Sequence, residues 1–329
     1  MRVPVLMILV VTIVPRTVAH AEPYPSTVHI FHDHPLHFSP DDAARYDTET
    51  VTADDNGRMI SRAIHIDRTA RPVRITAHVV VRPVALDDVS VHDKWDRAAN
   101  VRLRRPGAPD IEILKFITAY GGITEHRVDV THLAPLLRGA CIFLGFVDTW
   151  TSPGWTMDFD LLFEPVLEDM APTWVESVLY SDGMTAESLG DGGETVEIEI
   201  PANLEHVALF YLVSGHCTDG RGADEFETKD NVIAVDGVEA ARLRPWRDDC
   251  ERFRDRNPYC RRWSDGSWSA DYSRSGWCPG DKVEPVRIDL SAQLTAGRHT
   301  LRFHVENVRP KNADGDHGYW RVSSYLAGW

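Results

Sequence analysis

The stretch Val73-Arg74-Ile75-Thr76-Ala77-His78-Val79-Val80-Val81 decides the class of fold. Apolar side chains stand at 73, 75, 77, 79 and 81, with Arg74, Thr76 and His78 between them. A period of two puts one set on each face of an extended chain, whereas an amphipathic helix needs a period near 3.6. Similar β-rich runs recur outward in both directions: Ile60 to Ile66, then Val101 to Leu103, Ile111 to Ile117, Arg127 to Val130, Cys141 to Val147 and Met157 to Phe163. A second series holds Thr173 to Tyr180, Thr195 to Ile200, His206 to Val213 and Val232 to Val235, and closes with Val286 to Leu290, His299 to Val305 and Tyr319 to Leu326. Turn residues separate the runs, and this spacing predicts an all-β protein, an antiparallel sandwich or barrel. Leu133 to Leu137 is at most one helical turn, and no fixed period suggests a solenoid or propeller.

Of the 329 residues, 43% are hydrophobic, enough apolar surface to exclude a collagen-like or wholly disordered chain. Fifty acidic against 35 basic residues leave a formal charge of −15, which repels phosphate backbones and anionic lipid, so no nucleic-acid partner is expected. Met1-Arg2, the apolar run Val3 to Val14 and then Ala19-His20-Ala21 read as a signal peptide cleaved after Ala21. The expectation is therefore a secreted or periplasmic protein, with no integral membrane segment after cleavage and a monomeric state. The polar connector Glu164-Pro165 to Pro172 divides the mature chain into domains at 22–168 and 171–329.

One segment, Trp246 to Gly280, does not alternate. It holds four of the ten tryptophans, three of the five cysteines and many arginines, and a loop of such length in a compact domain is usually functional. Its Trp and Tyr rings offer faces for sugar C–H groups, and a loop stapled by disulfide and packed on its own aromatics is compatible with that use. In an exported protein Cys217, Cys250, Cys260 and Cys278 are expected as disulfide partners, in any of the three connectivities that four cysteines allow. Cys141, within CIFLGFV, reads as a buried free thiol. His29, His32, His34 and His37 cluster near the mature N-terminus, and His32 and His34 are placed to share one strand face. Imidazoles at such spacing can bind copper or zinc, but a structural or surface cluster is the expectation. Asn312-Ala313-Asp314-Gly315-Asp316 lacks the distal Glu of a calcium loop and reads as a turn.

Three stretches, in order, carry a family likeness: Asp93-Lys94-Trp95-Asp96-Arg97-Ala98-Ala99-Asn100-Val101, then Val147-Asp148-Thr149-Trp150 with Met157-Asp158-Phe159-Asp160, and Arg274-Ser275-Gly276-Trp277-Cys278-Pro279-Gly280. Together they resemble the peptide-N-glycosidase F family of bacterial amidases. Gly222-Ala223-Asp224-Glu225-Phe226 falls where that family has a glutamate followed by tryptophan. The resemblance covers nearly all the mature chain. It implies two antiparallel jelly-roll β-sandwich domains packed side by side, with the active site in their shared cleft. It also implies hydrolysis of the amide between asparagine and the first N-acetylglucosamine of an N-glycosylated protein or peptide. No metal or cofactor is called for.

By the same resemblance Asp96 activates water or moves a proton, and Glu225 is the second essential carboxylate. Carboxylates contributed by separate domains raise each other's pKa and divide acid and base roles. Asp148, the third catalytic candidate, takes the place of a family glutamate and is one methylene shorter. Arg97 and Arg274 offer planar donors to substrate oxygens, Trp150 and Trp277 offer stacking faces, Phe226 replaces a tryptophan, and His216 stands near a further aromatic position. Asp96 and Arg97 are adjacent, so both lining one pocket requires a bulge or turn. Ala223 and Glu227 replace cysteines of the family's small disulfide, and the Trp246 to Gly280 loop is longer than its counterpart. The rival readings are a non-catalytic glycan-binding surface protein on the same scaffold and, further off, a two-sandwich copper monooxygenase.

Overall fold

The structure, a computed structural model, describes residues 26–39, 41, 47–48, 50–67, 72–190, 192–220 and 222–329. The export signal expected over residues 1–21 lies outside the described residues. Eighteen strands are present among the described residues. The first nine are β1 (Ser26–Leu36), β2 (Thr52–Asp54), β3 (Met59–Ile66), β4 (Val73–Pro83), β5 (Ala98–Arg104), β6 (Ile111–Ile117), β7 (Thr124–Asp129), β8 (Gly139–Val147) and β9 (Trp155–Pro165). The others are β10 (Trp174–Met184), β11 (Glu194–Ile200), β12 (Val207–Cys217), β13 (Asn231–Val235), β14 (Val238–Leu243), β15 (Lys282–Val283), β16 (Val286–Asp289), β17 (Gly297–Val305) and β18 (Gly318–Gly328). The protein is all-β, and every strand pairing is antiparallel.

The strands form four sheets, ordered β1-β9-β4-β7, β15-β6-β5-β8-β3-β2, β10-β18-β12-β16 and β11-β17-β13-β14. The first two pack face to face. Phe143 of β8 meets Phe159 of β9 edge-on at 5.8 Å between ring centroids, and Phe159 also lies beside Phe31 of β1. Gly145 permits the close approach, because a Cβ there would stand 2.5 Å from the Met157 sulfur. In the second pair, Tyr211 of β12 stacks on Phe303 of β17 at 6.0 Å. Alternation follows this layering: β9 is buried at every second residue from Trp155 to Phe163.

Alternation fails in β6 and β12, where nearly every residue is buried. These strands are covered on both faces because the two pairs of sheets meet there. Phe210, Leu212 and Tyr325 belong to the same core cluster as Leu114 and Phe116. A polar network crosses this contact. Lys115 sits beside Glu112 at 3.2 Å and donates to the carbonyl of Arg321 at 2.9 Å, while Ser323 donates to Glu112 at 2.6 Å. β15, which follows the Trp246 to Gly280 loop, pairs with β6 and ties the C-terminal sequence to the N-terminal sheet.

β1 is not among the sequence-expected strands, because its three histidines break the apolar pattern. Its register shifts twice, between His29 and Phe31 and again between Phe31 and His34, with Asp33 at a φ of 45°. These bulges turn His32 to solvent and His34 inward, so the two do not share a face as expected. His29 instead pairs with Asp160 at 2.7 Å. Leu133 lies in a short 3-10 turn, Thr131–Leu133, and Asn312 closes a turn in which its side chain accepts from the amides of Asp314 and Asp316. No helix among the described residues is long and apolar enough to cross a membrane.

Candidate active site

A cavity of about 410 Å³ opens where the two pairs of sheets meet. Asp96, Arg97, Asp148, Trp150, His216, Glu225 and Trp277 all line it, with Cys217, Thr218 and Tyr319. Asp96 and Arg97 immediately precede β5, in a bend rather than a strand, which lets adjacent side chains face one space. Asp93 makes that bend. Almost fully buried, it accepts from both Nε and Nη2 of Arg97 (2.9 and 3.0 Å), from Thr149 Oγ1 at 2.6 Å and from Trp155 Nε1 at 3.2 Å. The Arg97 guanidinium and these hydrogen bonds outweigh burial and hold the Asp93 carboxyl below the usual carboxylate range.

Glu225 comes from the loop after β12. Its neighbour Asp224 is fully buried at a φ of 79°, accepting from Trp320 Nε1 at 2.8 Å and from the amide of Arg309 at 2.9 Å. That anchor, and the bond from the Ser275 amide to the Glu225 carbonyl, present the Glu225 side chain to the cavity. Cys217 donates its thiol to Glu225 Oε2 at 3.3 Å. Burial lifts the Glu225 carboxyl to about 7, with Arg274 opposing the rise and Asp96 adding to it. Burial likewise raises Asp96, again against Arg274.

Arg274 stands between the two carboxylates, 3.6 Å from Glu225 Oε1 and 3.8 Å from Asp96 Oδ2. It was expected to bind substrate oxygens. Instead it is only 1% exposed, its two terminal nitrogens donate to the carbonyls of Tyr272 and Ser269 (both 2.9 Å), and its plane lies over Trp277 and Phe226. Its cation faces both Asp96 and Glu225. Trp277 is also inside, donating to the Gly215 carbonyl and stacking on His216 at 5.3 Å, so it forms the wall rather than an open platform. His216 bonds Ser214 at 2.8 Å and is kept neutral by burial and by the nearby cations of Arg321, Lys115 and Arg274. Asp148 has one oxygen on Arg58 (3.0 Å) and the other on Arg321 (2.8 Å). Both lone-pair sides therefore face cations, and the side chain orders the rim. Trp150 is 59% exposed, against Phe38 at 4.8 Å and with the Arg58 guanidinium 5.0 Å over its ring. Phe226 faces an adjoining cavity.

The disulfide expectation is corrected for two cysteines. Cys250 and Cys278 are bonded, with Cα atoms 5.2 Å apart, whereas Cys217 and Cys260 are free. Cys217 is committed to Glu225 at the end of β12, and burial with that carboxylate pushes its thiol up to about 12. Cys141 is buried and free, bonded to the Leu136 carbonyl. Sequence reasoning missed Asp93, Tyr120, Tyr319 and Arg321. Tyr120 lies beside Asp96 and Arg274, and burial together with Asp96 raises its phenol so that it stays protonated. Asp93 and Tyr120 lie in loops and Tyr319 and Arg321 on β18, so only contact between distant parts of the chain brings them together. Among the described residues no three His, Cys, Asp or Glu side chains gather as a metal site.

The family model "Peptide-N-glycosidase F, C terminal" matches residues 187–327, and recombinant peptide:N-glycanase F (PNGase F) superposes with a TM-score of 0.70 over 92% of this chain and 95% of its own. The chain has the peptide-N-glycosidase F fold. At 20% identity to peptide:N-glycanase F, the likeness is one of architecture. PNGF-II is similar with a TM-score of 0.81, at 24% identity over 92% of this chain; the chain spans 65% of the length of PNGF-II. PNGase F of Flavobacterium meningosepticum, a glycosylasparaginase, gives 0.68 at 20% identity, covering 93% of this chain and 96% of its own. No curated protein matches the sequence. The peptide-N-glycosidase F fold agrees with the architecture expected from the WDR and GWCPG stretches.

Proposed function

We propose that this protein is a secreted amidase that hydrolyses the bond between asparagine and N-acetylglucosamine in N-glycoproteins, releasing the glycan and leaving aspartate. The observation that carries the reading is the pair Asp96 and Glu225, reached from distant parts of the chain, at one cavity with Arg274 between them. Amide hydrolysis needs a base for water and an acid for the departing nitrogen, and a carboxyl group near 7 can supply the second. Asp96 takes a proton from water as the oxygen adds to the side-chain carbonyl carbon. The C–N bond then breaks, and the sugar-bearing nitrogen leaves with the proton of Glu225. Return of the proton from Asp96 to Glu225 resets the pair. Arg274 remains cationic throughout and balances whichever carboxylate is charged. Trp150 and the hydroxyl and imidazole groups of Thr218, Tyr319 and His216 suit a neutral sugar. The peptide-N-glycosidase F fold adds to this support, and the chain reads as two jelly-roll domains divided at residues 168 to 171.

The test is incubation with a denatured N-glycoprotein and mass spectrometry of the glycosylation sites. Asparagine is expected to become aspartate, and Asp96→Asn is expected to reduce the rate by at least about a hundredfold. Glycan binding by the unmodified protein without conversion overturns the reading in favour of a glycan-binding protein.

A further inference from the structure

A second cavity, about 510 Å³, shares Asp96, Arg97, Cys217, Thr218 and Glu225 with the first and extends away over Trp95, Phe226, Tyr259, Trp263 and Tyr272. The carboxylate pair therefore stands at a junction between two spaces of different chemistry. The first is walled by polar groups suited to hydroxyls. The second is walled by aromatic rings and edged by two cations, Lys94 and Arg261. Lys94 Nζ lies 5.2 Å above the Tyr259 ring, and the Arg261 guanidinium lies 4.1 Å above Trp263. Both side chains are exposed, and among the described residues neither has a carboxylate within 4 Å. Arg242, Arg254 and Arg309, by contrast, are each paired with acids. The platforms are rigid. Tyr259 donates to the Val89 carbonyl at 3.0 Å, and the chain at Arg261 is pinned by reciprocal bonds with Ser269.

We infer that the second cavity holds the polypeptide flanking the glycosylated asparagine, and that Lys94 and Arg261 select acidic side chains there. The inference rests on the proposed amidase reading. A bond cleaved at the junction must send its sugar to one side and its peptide to the other. Aromatic walls with cations held above them suit the peptide, whose side chains offer apolar surface and carboxylates but few hydroxyls. In a protein of net charge −15, acidic flanks would otherwise be repelled, so two unpaired cations reverse the local sign.

The experiment compares two synthetic glycopeptides carrying the same neutral chitobiose on asparagine, one with Glu and one with Gln at the flanking positions. The ratio of their kcat/KM values is measured for the unmodified protein, for Lys94→Gln/Arg261→Gln and for Lys94→Arg. Two exposed ion pairs predict an advantage of about fivefold for the acidic peptide, falling with added salt. The ratio is expected to approach one in the double glutamine variant and to persist in Lys94→Arg. Equal rates for both peptides in the unmodified protein overturn the subsite and leave the amidase reading intact. If neither peptide is cleaved, the amidase reading falls, and equilibrium binding of the same two glycopeptides decides the subsite: tighter binding of the acidic one upholds it and equal binding overturns it.

Discussion

Glu225 keeps its proton until about pH 7 because burial removes the water that stabilises a carboxylate, and the Arg274 cation only partly replaces it. This has consequences for stability and for catalysis. Below the ordinary value of 4.5 the group is protonated in both folded and unfolded chains. Between there and about 7 the folded protein holds a proton that the unfolded chain has lost, so stability falls as pH rises, by roughly 3 kcal/mol in all. Glu225→Gln is therefore expected to raise the Tm at pH 8 and to leave it unchanged at pH 4.5. An unchanged Tm at both pH values refutes the assignment. On the proposed mechanism the same proton makes kcat/KM decline above pH 7, and a rate still rising at pH 9 excludes Glu225 as the acid. The identity of Asp96 and Glu225 was legible from the resemblance. The inward turn of Arg274 was not, because a GWCPG-type loop says nothing about which backbone carbonyls will meet its arginine.

At the scale of the element, the loop Trp246 to Gly280 is the part with least regular structure and the most to do. Two 3-10 turns, Cys250–Arg256 and Ser269–Asp271, and paired bridges from Arg247 to Arg274 and Arg262 to Trp268 shape it. Asn257 fastens it to the N-terminal sheet region by accepting from the Tyr120 amide and donating to the Pro279 carbonyl. The Cys250–Cys278 bond spans 28 residues, for which loop-closure entropy gives about 3.5 kcal/mol. Replacing both cysteines by serine is expected to lower stability by about that amount and to weaken activity before global unfolding, since Arg274 and Trp277 lie within the closed loop. Thermal unfolding followed alongside activity checks this, and coincident loss of both at an unchanged Tm contradicts it. The loop's extent and its lack of strands were readable from composition. The pairing was not: four cysteines permit three pairings, and only the fold showed that Cys217 is occupied elsewhere.

For the whole molecule, the packing of β6 against β18 joins the two pairs of sheets beside the cavity, which Ile117 of β6 and Tyr319 of β18 both line. Glu112 and Lys115 are both nearly fully buried there, and burial lowers the Lys115 pKa while Glu112 raises it. Lys115→Met leaves Glu112 uncompensated and is expected to cost about 3–5 kcal/mol. Adding Glu112→Gln, which retains an acceptor for Asn100 and a partner for Ser323, is expected to restore most of it. Denaturant unfolding of the single and double variants measures both effects, and equal stability of the two variants rules out an uncompensated charge as the cause. The unbroken apolar run VALFYLV of β12 was the available sign of a strand covered on both faces.

By itself the sequence determined the all-β class, most strand positions and the unpatterned loop, because alternation is a local property written two residues apart. It also marked Asp96 and Glu225 through short motifs. Only the tertiary structure decided that these carboxylates meet across Arg274, that Asp148 is held between two arginines, and that Lys94 and Arg261 edge a second cavity. Those relations depend on which sheets stack and how the loops between them fold. They are set by packing between residues far apart in the chain, for which no local period exists.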